Sequence, residues 1–268
     1  MSYNKKVFDS VKGRIPEPRT VEDFDELAIA HNETGVGLML KGNIDKARKL
    51  LEKGKRYSER HRKESDTATS VYMLASANLG LAHWLKGNYE DSLNILMQAF
   101  QVYGNTVDRS EKKSFVPGRL MHEIGNVKAS QALIKDEADF TKGFYWYQRA
   151  FRHYSETLGE THHRTADVCH RLAAYYLHDQ QYDQAEDFVS RALGVFEGKE
   201  CYTPEKMRTL HLKALLYEAM GKKQESVQLH TEVASMYRAF KTKRRESLPD
   251  TQSLTKDDMD ASVTFWSR

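Results

Sequence analysis

The stretch ASANLGLAHWLKGNYEDSLNILMQAF, residues 75–100, reads as two helices joined by a tight turn. Leu79-Gly80 lies in the first helix and Lys86-Gly87-Asn88 forms the turn. Tyr89 then opens a second helix carrying Ser92, Leu96 and Ala99. A glycine followed by an asparagine suits the left-handed backbone that ends a helix. The apolar residues on either side recur at helical spacing.

The same skeleton returns along the chain. In AIAHNETGVGLMLKGNIDKARKLLEKGKRY, residues 28–57, Gly35, Gly42-Asn43, Ile44, Ala47, Leu51 and Gly54 hold the same offsets. In HRLAAYYLHDQQYDQAEDFVSRAL, residues 170–193, Ala173 precedes the turn, and Tyr182, Ala185, Val189 and Ala192 follow it. LHLKALLYEAMGKKQESVQLHTEVASMY, residues 210–237, supplies Ala214, Gly221, Ser226 and Val233. A less regular copy begins at LMHEIGN with Gly125, and its second helix, FTKGFYWYQRAF, arrives about six residues late. The anchors Gly35, Gly80, Gly125, Ala173 and Ala214 are separated by 45, 45, 48 and 41 residues. That is one helical hairpin per repeat, five times over, across roughly residues 22–240.

The chemistry behind the pattern is close packing. Small residues in the first helix, and at the third and tenth positions after the residue that opens the second, let antiparallel helices approach. Ile44, Tyr89, Phe140 and Tyr182 are expected to fill the space between repeats. A bulky side chain at Gly80 or Ala185 should cost about 1–3 kcal/mol by overpacking. A single hairpin cannot bury its apolar face alone, so the copies must stack into a solenoid. No window shows sustained alternation of β-branched residues, and the fold class is all-α.

The small-residue positions and the Gly-Asn-Tyr or Gly-Asn-Ile turn resemble the tetratricopeptide repeat. The longer period and the segment LGETHHRTADVCHRLAAYYLHDQQYDQAEDFVSRAL, residues 158–193, are similar to its kinesin-light-chain subclass. The resemblance implies a right-handed superhelix of helix pairs, its concave groove lined by the first helix of each pair. It also implies a groove position for each of a set of polar and apolar residues. These are Asn32 in the first repeat; Asn78, Leu81 and Trp84 in the second; Arg119, His122 and Asn126 in the third; His170 and Arg171 in the fourth; and Arg208 and His211 in the fifth. The asparagines would pair with a peptide backbone, and Leu81 and Trp84 would take an apolar side chain. The His/Arg half would take acidic groups. Some of these residues could equally cap or solvate helices. The carboxylate clamp of chaperone-binding repeats is matched only by Asn78 and Arg119. Asn32, Val36 and Glu123 stand where it needs Lys, Asn and a cation.

The expected function is therefore a non-catalytic interaction scaffold that holds a peptide or protein segment, with no cofactor. The alternatives are a sensor whose superhelix closes on a small ligand, and an enzyme with a His-lined groove. Residues 162–170, HHRTADVCH, carry no Cys-x-x-Cys or His-Glu-x-x-His spacing to support a metal site. No nucleophile elbow or phosphate loop accompanies the histidines. The 41 basic and 38 acidic residues leave a net charge of +3, too balanced to suggest nucleic acid. Cys169 and Cys201, the only two cysteines, fit a reducing compartment, with Cys169 expected as a packed small hydrophobe. No long apolar run suggests a membrane span or a signal peptide. A cytoplasmic protein is expected, although KTKRR at 241–245 does not separate cytosol from nucleus. A homo-oligomer is compatible with all of this.

The ends read differently. Residues 1–19, with mixed charge and two prolines, are expected as a flexible arm, with Thr20-x-x-Asp23 capping the first helix of the repeat domain, 20–240. Residues 241–254 read as a polar linker. In 255–268 a second cap, Thr255-x-x-Asp258, opens a short helix with Met259, Val263 and Trp266 at helical spacing. Such a helix would cover the edge of the last repeat, or place Phe265-Trp266 in a groove.

Overall fold

The computed structural model describes residues 3–62, 66–106, 114–134, 141–247, 254–264 and 266–267. Among the described residues the regular elements are helices, with no strand. They are α1 (Tyr3–Arg14), α2 (Val21–Leu40), α3 (Ile44–His61), α4 (Asp66–Leu85), α5 (Tyr89–Thr106) and α6 (Val116–Ile134). They continue with α7 (Thr141–Thr157), α8 (His163–His178), α9 (Tyr182–Phe196), α10 (Thr203–Ala219), α11 (Lys223–Arg244) and α12 (Lys256–Ser262). Two compact units divide the chain, 1–153 and 154–268.

Helices α2/α3, α4/α5, α6/α7, α8/α9 and α10/α11 are the five hairpins expected from the repeat. The small anchors bring each pair together. A Cβ built on Gly35 would lie 2.7 Å from Leu51, and one on Gly80 would lie 2.6 Å from Leu96. One on Gly125 would lie 2.6 Å from the Tyr147 ring. Ala173 and Ala214 are fully buried at the equivalent sites. The partner positions are buried as well: Ala47, Ser92, Ala185 and Ser226 at the third place, and Ala99, Ala150, Ala192 and Val233 at the tenth. Ser92 uses its hydroxyl to reach across the hairpin to the Gly80 carbonyl at 2.7 Å. Phe140 and Phe265 lie outside the described residues.

Four of the turns share one geometry. Gly42, Gly87 and Gly221 have φ of 74°, 77° and 76°, and Gln180 holds the same place in the fourth hairpin with φ of 57°. In each turn the next residue's N–H bonds back five residues: Asn43 to Leu38, Asn88 to His83, Gln181 to Tyr176 and Lys222 to Tyr217. This closes the orphan carbonyls of the first helix.

In unit 1 the core is continuous across α4, α5 and α6, through Tyr72, Met73, Leu96, Leu120 and Ile124. The N-terminal segment, read from sequence as a flexible arm, carries α1. Phe8 and Val11 on that helix, with Ile15 just past its end, form a stripe that packs on Leu27, Ala30 and Tyr57. The stripe is short and set among charges, so it becomes decisive only beside the open end of the first hairpin. Thr20 and Asp23 form the expected reciprocal cap of α2.

In unit 2, α9 packs between α8 and α10, and α10 pairs with α11. The segment read as a linker from 241 begins inside α11, which runs to Arg244 and ends on a left-handed Arg245. Thr255 and Asp258 cap α12. This short helix packs on α10, and Met259 is fully buried with Met207, Leu210, Val233 and Tyr237.

Candidate functional site

The first helices of the hairpins carry the residues assigned to a groove, and each unit arranges its own set. In unit 1, Asn78 of α4 donates to Asn32 Oδ1 of α2 at 2.8 Å. Arg119 of α6 donates to Asn78 Oδ1. A row of buried polar side chains thus ties three consecutive first helices together. Tyr147 of α7 donates its hydroxyl to Asn126 Oδ1 at 2.9 Å, and the His122 ring meets Tyr147 edge-on at 5.9 Å. Leu81 is fully buried, while half-buried Trp84 packs on the α4–α6 core and donates Nε1–H to Ser130 Oγ at 2.8 Å.

Asn32, Asn78, Arg119, His122 and Asn126 are all buried. Asn32, Asn78 and Arg119 are turned towards one another, and Asn126 towards Tyr147. The cause is the close approach of the first helices. Where successive first helices pack side by side, the polar groups between them must satisfy one another or stay costly.

In unit 2, Asp167 and His170 of α8 face Arg208 and Thr209 of α10. Arg208 is 2% exposed, and its Nη2 lies 3.4 Å from Asp167 Oδ1. Its Nη1 donates to the main-chain carbonyl of Ser267 and lies 3.6 Å from Asp260 Oδ1. Burial pushes the Asp167 carboxyl up to about 7, against the pull of Arg208, with Ser267 hydrogen-bonded to the same carboxyl. At Asp260 burial also acts upward, but Arg171, Arg208 and Lys256 outweigh it and hold the carboxyl below its ordinary value.

Burial and the adjacent Arg208 and Arg171 push His170 well below its ordinary pKa, so its ring is neutral. Thr209 spends its one hydroxyl hydrogen on the Glu205 carbonyl at 2.9 Å. The 3.3 Å contact between Thr209 Oγ1 and His170 Nδ1 then places the histidine's proton on Nδ1. His211 meets His230 edge-on at 5.5 Å, and burial followed by His230 lowers its pKa. Arg171 is half-buried.

Asp260 and the Ser267 carbonyl were not among the residues singled out in the sequence. The capping signal at Thr255-x-x-Asp258 marked the helix that carries Asp260, but nothing in a linear pattern connects it to Arg208. The other groups of the 162–170 stretch go separate ways. His162 accepts from the Arg164 N–H at the start of α8, and His163 stacks on Tyr202 at 5.6 Å. Cys169 is buried, and that burial pushes its thiol up to about 12, as suits a packed small hydrophobe. Among the described residues, no three His, Cys, Asp or Glu side chains group as metal ligands would. No helix among them is long and apolar enough to cross a membrane.

The buried amides and guanidinium groups direct donors to one another and to the main chain, and α10 with its neighbours forms an apolar socket filled by Met259. Tetratricopeptide-repeat family patterns match residues 74–109, and 132–198 together with 169–239. No curated protein matches in sequence. Among solved structures, BtubC (BKLC) from P. vanneervenii is similar with a TM-score of 0.69 and 14% identity. The match covers 95% of this chain and 97% of that one. Two structures of kinesin-light-chain-type TPR-like repeats from Podosopora anserina have TM-scores of 0.58 and 0.57, with 16% and 17% identity. They cover 83% and 82% of this chain and 98% of each of theirs. The repeated hairpins, their shared turn and these matches lead to one conclusion: the chain belongs to the tetratricopeptide-repeat family, with a kinesin-light-chain-like fold.

Proposed function

We propose that the protein is a non-catalytic interaction scaffold whose first-helix faces hold a peptide or protein segment from a partner. The observation that carries this reading is the alignment of polar residues on successive first helices. Asn32, Asn78 and Arg119 share one row, and Asp167, His170 and Arg208 meet in the other unit. Hydrogen-bonded rows hold their side chains in one orientation, which lowers the ordering cost of binding. On this reading the half-buried residues beside them, Trp84 and Arg171, meet the partner directly. Trp84 offers an apolar face and Arg171 a cation for an acidic group.

The reading is tested by capture. Wild type and a Trp84→Ala/Arg171→Glu variant are immobilised, matched for helicity and melting temperature, and exposed to lysate from the native source. Proteins retained by wild type and lost from the variant are the expected result. Identical retention by the two would remove the first-helix faces from consideration.

A further inference from the structure

The C-terminal segment, described at residues 254–264 and 266–267, has the attributes of a bound peptide. It meets α10 at Arg208, one of the residues assigned to the partner-binding face, and α8 at Asp167, and it does so through three kinds of contact. Met259 enters an apolar socket with Met207 and Tyr237. The Asp260 carboxylate lies 3.6 Å from Arg208 Nη1. Seven residues on, Ser267 is read twice: Arg208 donates to its main-chain carbonyl, and its side chain hydrogen-bonds to Asp167. Such a combination of an apolar anchor, a carboxylate and a main-chain acceptor is how a groove recognises an extended or partly helical peptide. The seven residues of α12 are too few for a helix that stands alone in water, so its form depends on docking.

A purely structural cap needs an apolar surface over the last hairpin. It does not need an almost fully buried guanidinium aimed at a main-chain carbonyl on the first-helix face. We infer that residues 255–267 are a resident, exchangeable ligand of the α8–α10 face. On the scaffold reading above, a partner segment takes this place by offering Arg208 the same chemistry. That chemistry is an apolar side chain, an adjacent carboxylate and, seven residues further on past the end of a short helix, a hydroxyl-bearing residue with a free carbonyl. Tethering gives the resident segment a high effective concentration, so exchange responds steeply to anything that loosens it.

The test uses the full chain and a fluorescently labelled synthetic peptide with the sequence of residues 255–268. Two variants, Asp260→Asn and Ser267→Ala, weaken the resident segment without altering α8 or α10. Circular dichroism and melting temperature are recorded for each. The labelled peptide should bind either variant about tenfold or more tighter than wild type. A peptide carrying both substitutions should lose that gain. Equal, weak binding by wild type and both variants, with helicity unchanged, would overturn the inference and leave the segment a permanent cap. The scaffold reading is judged separately. Partners captured from lysate equally by wild type and Ser267→Ala would sustain the scaffold while sinking exchange. Tighter peptide binding without any captured partner would do the reverse.

Discussion

Asn78 donates its side-chain amide to Asn32 Oδ1 at 2.8 Å while its own Oδ1 accepts from Arg119. One amide therefore bridges α2, α4 and α6, and its removal takes a partner from both sides. Asn78→Ala should cost about 1–3 kcal/mol, because a buried acceptor and a buried guanidinium each lose a partner. Urea unfolding followed by circular dichroism measures it. A change below a few tenths of a kcal/mol would show that water replaces the bridge.

Leu96 occupies the place where a Cβ on Gly80 would stand, 2.6 Å from its Cγ. Gly80→Ala should cost about 1–3 kcal/mol through overpacking. Gly194, also helical, has nothing within 4 Å of its built Cβ. Gly194→Ala should instead add about 0.5–1 kcal/mol from propensity alone. Thermal melts of the two variants compared side by side distinguish packing from propensity.

Gln180 occupies a left-handed turn position that glycine holds in three of the other hairpins. Gln180→Gly should raise stability by about 0.5–1 kcal/mol, since a side chain in that region is strained whereas glycine is not. A lower denaturation midpoint for the variant would mean that the Gln180 side chain makes a compensating contact.

His163 is pushed down to about 4 by burial, with His162, Arg164 and Lys199 adding to it. Its folded value lies below its unfolded one, so the unfolded chain binds the proton more tightly. This contribution to stability is present above pH 6.5 and is lost as pH falls through 4. His163→Phe keeps a ring on Tyr202 and removes the proton site. Its melting temperature should fall less than that of wild type between pH 6.5 and 4.

Asp167 has the opposite sign. Its carboxyl is raised from 3.8 to about 7, so the folded state holds the proton more tightly than the unfolded one. That contribution is present below pH 3.8 and disappears as pH rises through 7. Asp167→Asn should remove this slope, with the pH dependence of stability between 4 and 7 tilting further towards greater stability at high pH. An unchanged slope would place the carboxylate, charged throughout, in a permanent pair with Arg208.

The hairpins were legible because their cause is local. Gly35 and Gly80 sit opposite Leu51 and Leu96, each 16 residues on within one hairpin, so a fixed offset in sequence becomes a fixed contact. Gly125 meets Tyr147 only 22 residues on, because the second helix of that hairpin starts late. The threonine caps at Thr20 and Thr255 were legible for the same reason, since each spans three residues. α1 was missed because the stripe of Phe8, Val11 and Ile15 is weak by itself and acquires meaning only against Leu27 and Ala30. The first-helix location of the candidate residues was legible, but their state was not. Resemblance placed Asn32, Asn78, Arg119 and Arg208 on the first helices, yet their burial and mutual bonding depend on how closely successive helices pack.

By itself, then, the sequence determined an all-helical array of five hairpins, their turns and their spacing, because those rest on small residues and caps a few positions apart. Tertiary structure alone decided that Asn78 joins Arg119, 41 residues away, and that Arg208 meets Ser267, 59 residues away. A buried polar group takes whichever partner the packed helices bring within reach, and that choice has no periodicity along the chain.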